Sequence, residues 1–290
     1  MLFKTWKVLL RHRAGVVGML VIIIMVNAAI FSVIDQTFFD QRLITKILYN
    51  PFSLSLQDKL KPPNANHLLG TDLLGRDLLA RIIYGARVAL EIGLLAVGIS
   101  GFVGTILGLI AGYYGGVADS IIMRIADVLL AFPAILLALA FVTFAGPGLT
   151  NVVIALSLRS WVSYARIIRG QVLKIKIEEY ALAAIAIGCS NLRIMVRYIL
   201  PNALSPLIVQ ATMGLGGMII SAAGLSFLGL GVMPPTPSWG MMLNEGRLYI
   251  RTAWWLSVSP GIAIFITVMG FNLVGDFLRD VLDPRLRNVR

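Results

Sequence analysis

Few residues in this sequence are of types that perform covalent chemistry. There are two histidines, His12 and His67, one cysteine, Cys189, and 14 acidic residues among 290. The chain has no phosphate-cradling Walker A pattern, no paired-carboxylate site, no serine or cysteine triad and no metal-ligand cluster. Two histidines alone cannot build a metal site. A membrane-embedded enzyme needs reactive polar side chains facing one another at depth, and none is evident. The expectation is a non-enzyme that holds no cofactor or metal of its own. Two charged features remain. Arg159 stands near the middle of an apolar run, and residues 171–206 (QVLKIKIEEYALAAIAIGCSNLRIMVRYILPNALSP) carry Lys174, Lys176, Glu178, Glu179, Arg193 and Arg197.

The rest of the chain says where those charges must sit. Hydrophobic residues make up 58%, charged residues 13%, and mean hydropathy is +0.86. Soluble domains carry about 25% charged residues, so most of this chain belongs in a bilayer. The net charge of +11 does not point to nucleic acid, because the basic residues lie at the ends of apolar runs rather than on one soluble face. A lone cysteine forms no intrachain disulfide and reads as a small buried residue.

Six apolar runs approach the roughly 20 residues a bilayer requires. They are 14–34, 88–112, 120–145, 150–169, 204–223 and 255–276, giving an all-α integral membrane protein. The first follows Lys4, Lys7, Arg11 and Arg13 and is too long for a signal-peptide core, so it reads as an uncleaved helix. The second run has Gly93, Gly98, Gly101, Gly104, Gly108 and Gly112, and the fifth has Gly214, Gly216 and Gly217. Small residues let membrane helices approach closely, which predicts tight seams there. Pro133 and Pro260 predict kinks. With the N-terminus inside, the inner segments hold 15 basic residues and the outer ones 7, a bias that places both termini in the cytoplasm.

Two outer segments are more than turns. In HLLGTDLLGRDLLARIIYGAR, Thr71 or Asp72 is expected to cap an amphipathic helix running toward Arg87. Asp72, Arg76 and Asp77 read as a capped turn, with a partner contact as the other reading. Glu91 is expected to pair with Arg87 at i,i+4. In SFLGLGVMPPTPSWG, Pro234, Pro235 and Pro237 exclude a regular helix, and the apolar first half suggests a segment dipping into the membrane. Trp239, Trp254 and Trp255 suit an interface belt.

In residues 171–206, a helix from about Glu178 sets Ala181, Ala184 and Gly188 on one stripe of small residues. Gly188 is a helix terminator, and Ser190 or Asn191 caps a second helix that shows Arg193 and Arg197 before Pro201 stops it. Such a pair either seats its smooth face in a partner's groove or lies on anionic lipid as a basic amphipathic helix. Arg159 likewise has two readings: a pathway residue attracting an anionic substrate group, or a snorkelling structural charge.

The same residues resemble the EAA loop of ABC-importer permeases: Glu-Ala-Ala, three residues, Gly, nine residues, Ile, one residue, Leu-Pro. Ala183, Ala184, Gly188, Leu200 and Pro201 match, whereas Leu182 stands for the leading Glu and Tyr198 for the Ile. HLLGTDLLGRDLLARIIYGAR, SWVSYARIIRGQVL, SFLGLGVMPPTPSWGMML and FNLVGDFLRDVLDPRLR extend the resemblance to the C-type permeases of dipeptide, oligopeptide and nickel importers. The resemblance implies a type I importer permease fold. Residues 1–86 would form the tail, first span and outer segment, and 87–290 a five-helix core with the loop at 178–201. It implies a helix around 179–188 that couples to ATPase motion, with Glu179, Ala181, Ala183, Ala184, Gly188, Arg193 and Pro201 as the coupling residues. The implied partners are a homologous second permease, two ATPase subunits carrying ATP and magnesium, an extracytoplasmic binding protein and the lipid bilayer. Peptides, nickel complexes, opines and oligosaccharides all fit as cargo. A stand-alone secondary transporter or channel is the alternative, although no internal repeat supports it. A membrane scaffold without a pathway is a further one.

Overall fold

Three glycines, each one helical turn from the next, decide which helices meet. The computed structural model describes residues 13–282. Its elements are α1 Arg13–Phe38, α2 Arg42–Ile47, α3 Leu78–Tyr114, α4 Gly116–Ala131, α5 Ala134–Ala145, α6 Leu149–Ile175, α7 Glu179–Ala186, α8 Asn191–Phe227, α9 Trp239–Gly246 and α10 Trp255–Leu282. Gly104, Gly108 and Gly112 of α3 face α6 so closely that an added Cβ would fall 2.6 Å from Tyr164 Cβ, 2.9 Å from Ile168 Cβ and 2.7 Å from Val172 Cβ. Numbers rise together along this seam, so α3 and α6 run parallel. Gly98, from the same glycine run, has nothing within 4 Å and serves no seam.

Parallel α3 and α6 require the chain between them to cross back. That chain is α4 and α5, which bend by 89° at Phe132-Pro133. Pro133 has no N–H to continue the helical ladder, and Phe132 before it is extended at ψ 136°, as proline demands of its predecessor. The expected kink is therefore a break. Pro260, also expected to kink, lies inside α10 without ending it. Two ion pairs tie α4 to α6: Arg169 grips Asp119 with two bonds of 2.5 and 2.6 Å, and Arg166 donates to Asp127 at 2.6 Å.

Helices α1, α3, α8 and α10 are each long and apolar enough to cross a membrane, and the α4–α5 pair makes five. Helix α6 has the length, but Arg159, Arg166, Arg169 and Lys174 keep it from meeting the same apolarity. Its place parallel to α3 fits the six-crossing count. Both α3 and α8 have 37 residues. At 1.5 Å per residue that is about 55 Å, well beyond the roughly 30 Å of hydrocarbon, so each extends past the membrane.

Helix α1 runs antiparallel to α10. Gly15 sits against Phe277 and Gly18 against Gly270 and Val274. The described chain ends, Arg13 and Leu282, therefore share one face. Tyr113 donates to Asn191 at 2.9 Å, which places the end of α3 and the start of α8 on that face as well. Lys4, Lys7, Arg11, Asp283 and Arg285 lie outside the described residues.

Candidate functional site

Helix α7 is short, and its location makes it the candidate site. Glu178 precedes it in an extended conformation, and Glu179 occupies the first turn, where an acidic residue suits the helix dipole. Ala181 and Ala184 are 0% and 2% exposed. Ala184 packs in one apolar cluster with Leu109 of α3, Ile168, Val172 and Ile175 of α6, and Ile194, Met195 and Ile199 of α8. Ala181 and Ala184 of the expected stripe therefore face this chain's own core, whereas its third member, Gly188, is exposed. Small side chains let α7 lie close across the helix ends. The hydrophobic residues that α7 and its flanks leave exposed are Ile177, Tyr180, Leu182, Ala183, Ile185, Ala186 and Ile187. Burial pushes the Tyr180 phenol above its ordinary range, with Glu178 adding to the shift.

Gly188 ends α7 as its type suggests. Its φ is +78°, its N–H reaches Ile185 O at 2.9 Å, and the Cys189 N–H reaches Ala184 O at 3.1 Å. These paired bonds are the Schellman arrangement, which needs a left-handed residue at this position. No atom lies within 4 Å of a Cβ built here, so the glycine is required by its backbone angle and not by crowding.

The second helix differs from expectation. Ser190 precedes it without a side-chain cap bond, and the helix does not stop at Pro201. Instead it continues as the membrane helix α8. The physical reason is the π turn at Ile194–Ile199, where the Leu200 N–H bonds Met195 O, five residues back. Proline in a regular helix clashes with the carbonyl four residues earlier. The wider turn just before Pro201 shifts the ladder by one residue, and Asn202 Nδ2 donates to Tyr198 O at 2.7 Å. Arg193 and Arg197 are both exposed. Only three residues, Ile187 to Cys189, separate α7 from Ser190.

Arg159 lies within α6, well before α7 in the chain. Its Nε is buried without a hydrogen-bond partner. Among the described residues nothing joins it to Gly188 or Arg193. The residues singled out by the sequence thus fall into two separate places, the α7 region and the α6 interior.

The opposite face carries a second construction, only partly legible in the sequence. Asp72 Oδ1 accepts from the Leu74 and Arg76 N–H groups, and its Oδ2 accepts from Arg76 Nε at 2.6 Å and from Arg81. Arg81 also bonds Glu245 of α9 at 3.1 Å. Asp77, not Thr71 or Asp72, caps α3: its Oδ1 accepts from the Ala80 N–H at 2.9 Å, and its Oδ2 pairs with His67 Nδ1. Asp72, Arg76 and Asp77 are all buried, so they form the structural turn. Nearby, Lys61 and Ser55 bond Asp58 and hold its carboxyl below the usual carboxylate range. Arg87 Nε lies 3.8 Å from Glu91, as expected, and Arg87 also donates to Gln36 at 2.7 Å. Trp239 and Trp255 are buried and donate to Ile82 O and Thr71 O, whereas Trp254 is exposed. Residues 228–238 form no helix, in keeping with their prolines. The role of Glu245 escapes the sequence because its partner is 164 positions away and no local spacing announces it.

A short helix moored between long apolar helices has counterparts among known proteins. Residues 104–288 match the family described as binding-protein-dependent transport system inner membrane component. The chain belongs to this family.

Relatives of this permease agree over nearly its whole length. It is 43% identical to the dipeptide transport system permease protein DppC of Alkalihalophilus pseudofirmus, covering 98% of this chain and 90% of the relative. It is also 43% identical to the glutathione transport system permease protein GsiD of Pectobacterium atrosepticum, covering 98% and 91%. In fold it is similar to an amino acid ABC transporter chain solved with histidines (TM-score 0.52, 18% identity, 73% of this chain and 95% of that one). It is also similar to a chain of the inward-facing MetNI methionine ABC transporter (TM-score 0.55, 18% identity, 70% and 96%). The chain is a permease subunit of an ABC importer. Among the described residues, no group of three or more His, Cys, Asp or Glu is placed to hold a metal.

Proposed function

We propose that this permease forms half of a peptide-conducting pathway and that ATPase subunits drive it through α7. The observation that carries this reading is the geometry of α7. Its small face is moored to the ends of α3, α6 and α8, while Tyr180, Leu182, Ala183, Ile185 and Ile187 remain exposed. A moored helix moves as a rigid body, and an exposed apolar face on a charged segment suits a protein groove better than water.

In this reading a homologous permease supplies the other half of the pathway. Two ATPase subunits bind ATP and magnesium, and no cofactor binds this chain. Glu179 and Ala183 lie at the docking face, Ala181 and Ala184 transmit force inward, and Gly188 fixes the exit angle. Arg193 and Pro201 lie on the stretch that turns α7 motion into tilt of α8. The face bearing α7 is cytoplasmic, with both termini on it, as the basic-residue bias favours. The opposite face, capped by residues 35–77 and 228–254, receives the extracytoplasmic binding protein. Nucleic acid has no part in it.

The peptide assignment rests on relatives named for dipeptide, di/tripeptide and glutathione transport. Arg159, with a buried Nε lacking a hydrogen-bond partner, is the pathway residue that attracts a substrate carboxylate. The test is reconstitution: the chain should co-purify with two ATPases and a second permease, and uptake of dialanine should require ATP and a binding protein. Uptake by this chain alone in liposomes without ATP would refute it.

A further inference from the structure

A cavity of about 680 Å³ opens between α6, α8 and α10 on the face that carries α7. Lys174 of α6 and Arg279 of α10 stand at its walls. Neither cation has an ion-pair or hydrogen-bond partner among the described residues. Between them the cavity presents Gln171, Asn202, Ser205 and Gln210. Pro206, also in the wall, has no N–H to offer the Asn202 carbonyl one turn back, so a backbone acceptor is left without its usual helical donor. Met213 and Leu282 add apolar surface.

We propose that this cavity is an inner binding site for a small solute ending in a carboxylate, such as a short peptide leaving the pathway. The claim rests on the proposed peptide function. Two cations from different helices, without a partner among the described residues, call for an anion, because charge-assisted bonds to a carboxylate are the strong ones available to them. The side-chain amides and the free carbonyl match the donors and acceptors of a peptide bond, which a bare inorganic anion does not have. The apolar residues accept peptide side chains, and the volume falls within the roughly 300–1,000 Å³ typical of ligand pockets. The site uses residues of three helices, two of which, α6 and α8, are moored to α7. Movement of α7 would therefore reshape it, releasing its occupant once per cycle.

The test uses the full chain in phosphatidylcholine nanodiscs, titrated with dialanine and followed by saturation-transfer NMR. Dialanine amide, which lacks the carboxylate, is titrated in parallel. So is dialanine against the variant Lys174→Gln with Arg279→Gln; both positions are exposed, so the fold should persist. Saturable binding of dialanine, weakened about tenfold or more by amidation or by the double substitution, is the expected result. Equal binding of the amide, or no effect of the substitutions, overturns the site. A further arm adds phosphatidylglycerol to the nanodisc. Unchanged dialanine binding supports the inference, and its loss assigns the cations to a lipid phosphate and overturns it. ATP-driven dialanine uptake by the assembled importer is measured alongside. Uptake without carboxylate-dependent binding in the cavity sinks only the inner site. Failure to assemble with ATPases sinks the proposed function, while carboxylate-dependent binding would still establish the site.

Discussion

Arg81 Nη1 lies 3.1 Å from Glu245 Oε2, joining the first turn of α3 to α9 across 164 positions of chain. The same Nη1 also donates to Asp72 Oδ2, and both members of that pair are nearly inaccessible. Removing one partner of a buried pair strands the other charge and costs about 3–5 kcal/mol. Asp72→Ala leaves Arg76 and Arg81 with Glu245 alone as their shared counter-charge. Its thermal unfolding midpoint in detergent should fall sharply, and more than that of Lys61→Ala, whose pair with Asp58 is exposed. Equal midpoints would show that the network contributes little.

The glycine seam between α3 and α6 makes a graded prediction. Gly108→Val places a side chain where Ile168 already lies, and overpacking of this kind costs about 1–3 kcal/mol. Gly98→Val, on the same helix with nothing within 4 Å, should stay within about 0.5 kcal/mol of the parent. Unfolding in detergent compares the two. Equal loss at both sites would contradict the seam.

Gly188 separates strain from crowding. Gly188→Ala meets no atom but must hold a left-handed φ of +78°, at a cost of about 1–2 kcal/mol. Gly188→Asn, the other residue that tolerates this conformation, should lose less. ATPase co-purification should weaken in the same order, Ala before Asn. The reverse order would mean that contact, not backbone shape, governs this position.

Arg159→Ala should leave insertion and assembly intact, because the buried Nε makes no hydrogen bond that folding would lose. It should lower ATP-driven uptake of dialanine, with Arg159→Lys falling between the two. Unchanged uptake affinity and rate in an assembled Arg159→Ala importer would remove Arg159 from the pathway.

Local patterns in the sequence are good guides to local structure. Gly188 as a terminator, the break at Pro133 and the Arg87–Glu91 pair all depend on neighbours within a few residues. The proline at 201 misleads, because a π turn upstream removes the clash that would stop a helix, and no propensity marks such a turn. The stripe of Ala181 and Ala184 is legible, but the side it faces is not. That depends on Leu109, Ile168 and Ile194, brought together only by the fold. Trp239 and Trp255 suit an interface by type yet are buried for the same reason: their carbonyl partners, Ile82 and Thr71, are 157 and 184 positions distant. The resemblance at Ala183, Ala184, Gly188, Leu200 and Pro201 is legible without the fold, and the match over residues 104–288 is what shows the family.

The central claim is that the exposed face of α7 receives the ATPases. The most direct measurement is co-purification and ATP-driven uptake for Ile185→Asp, a charge placed on that face away from the moored alanines. The account predicts a chain that still inserts and pairs with the second permease but brings down no ATPase and transports no peptide. Full ATPase recovery with unchanged uptake would contradict it.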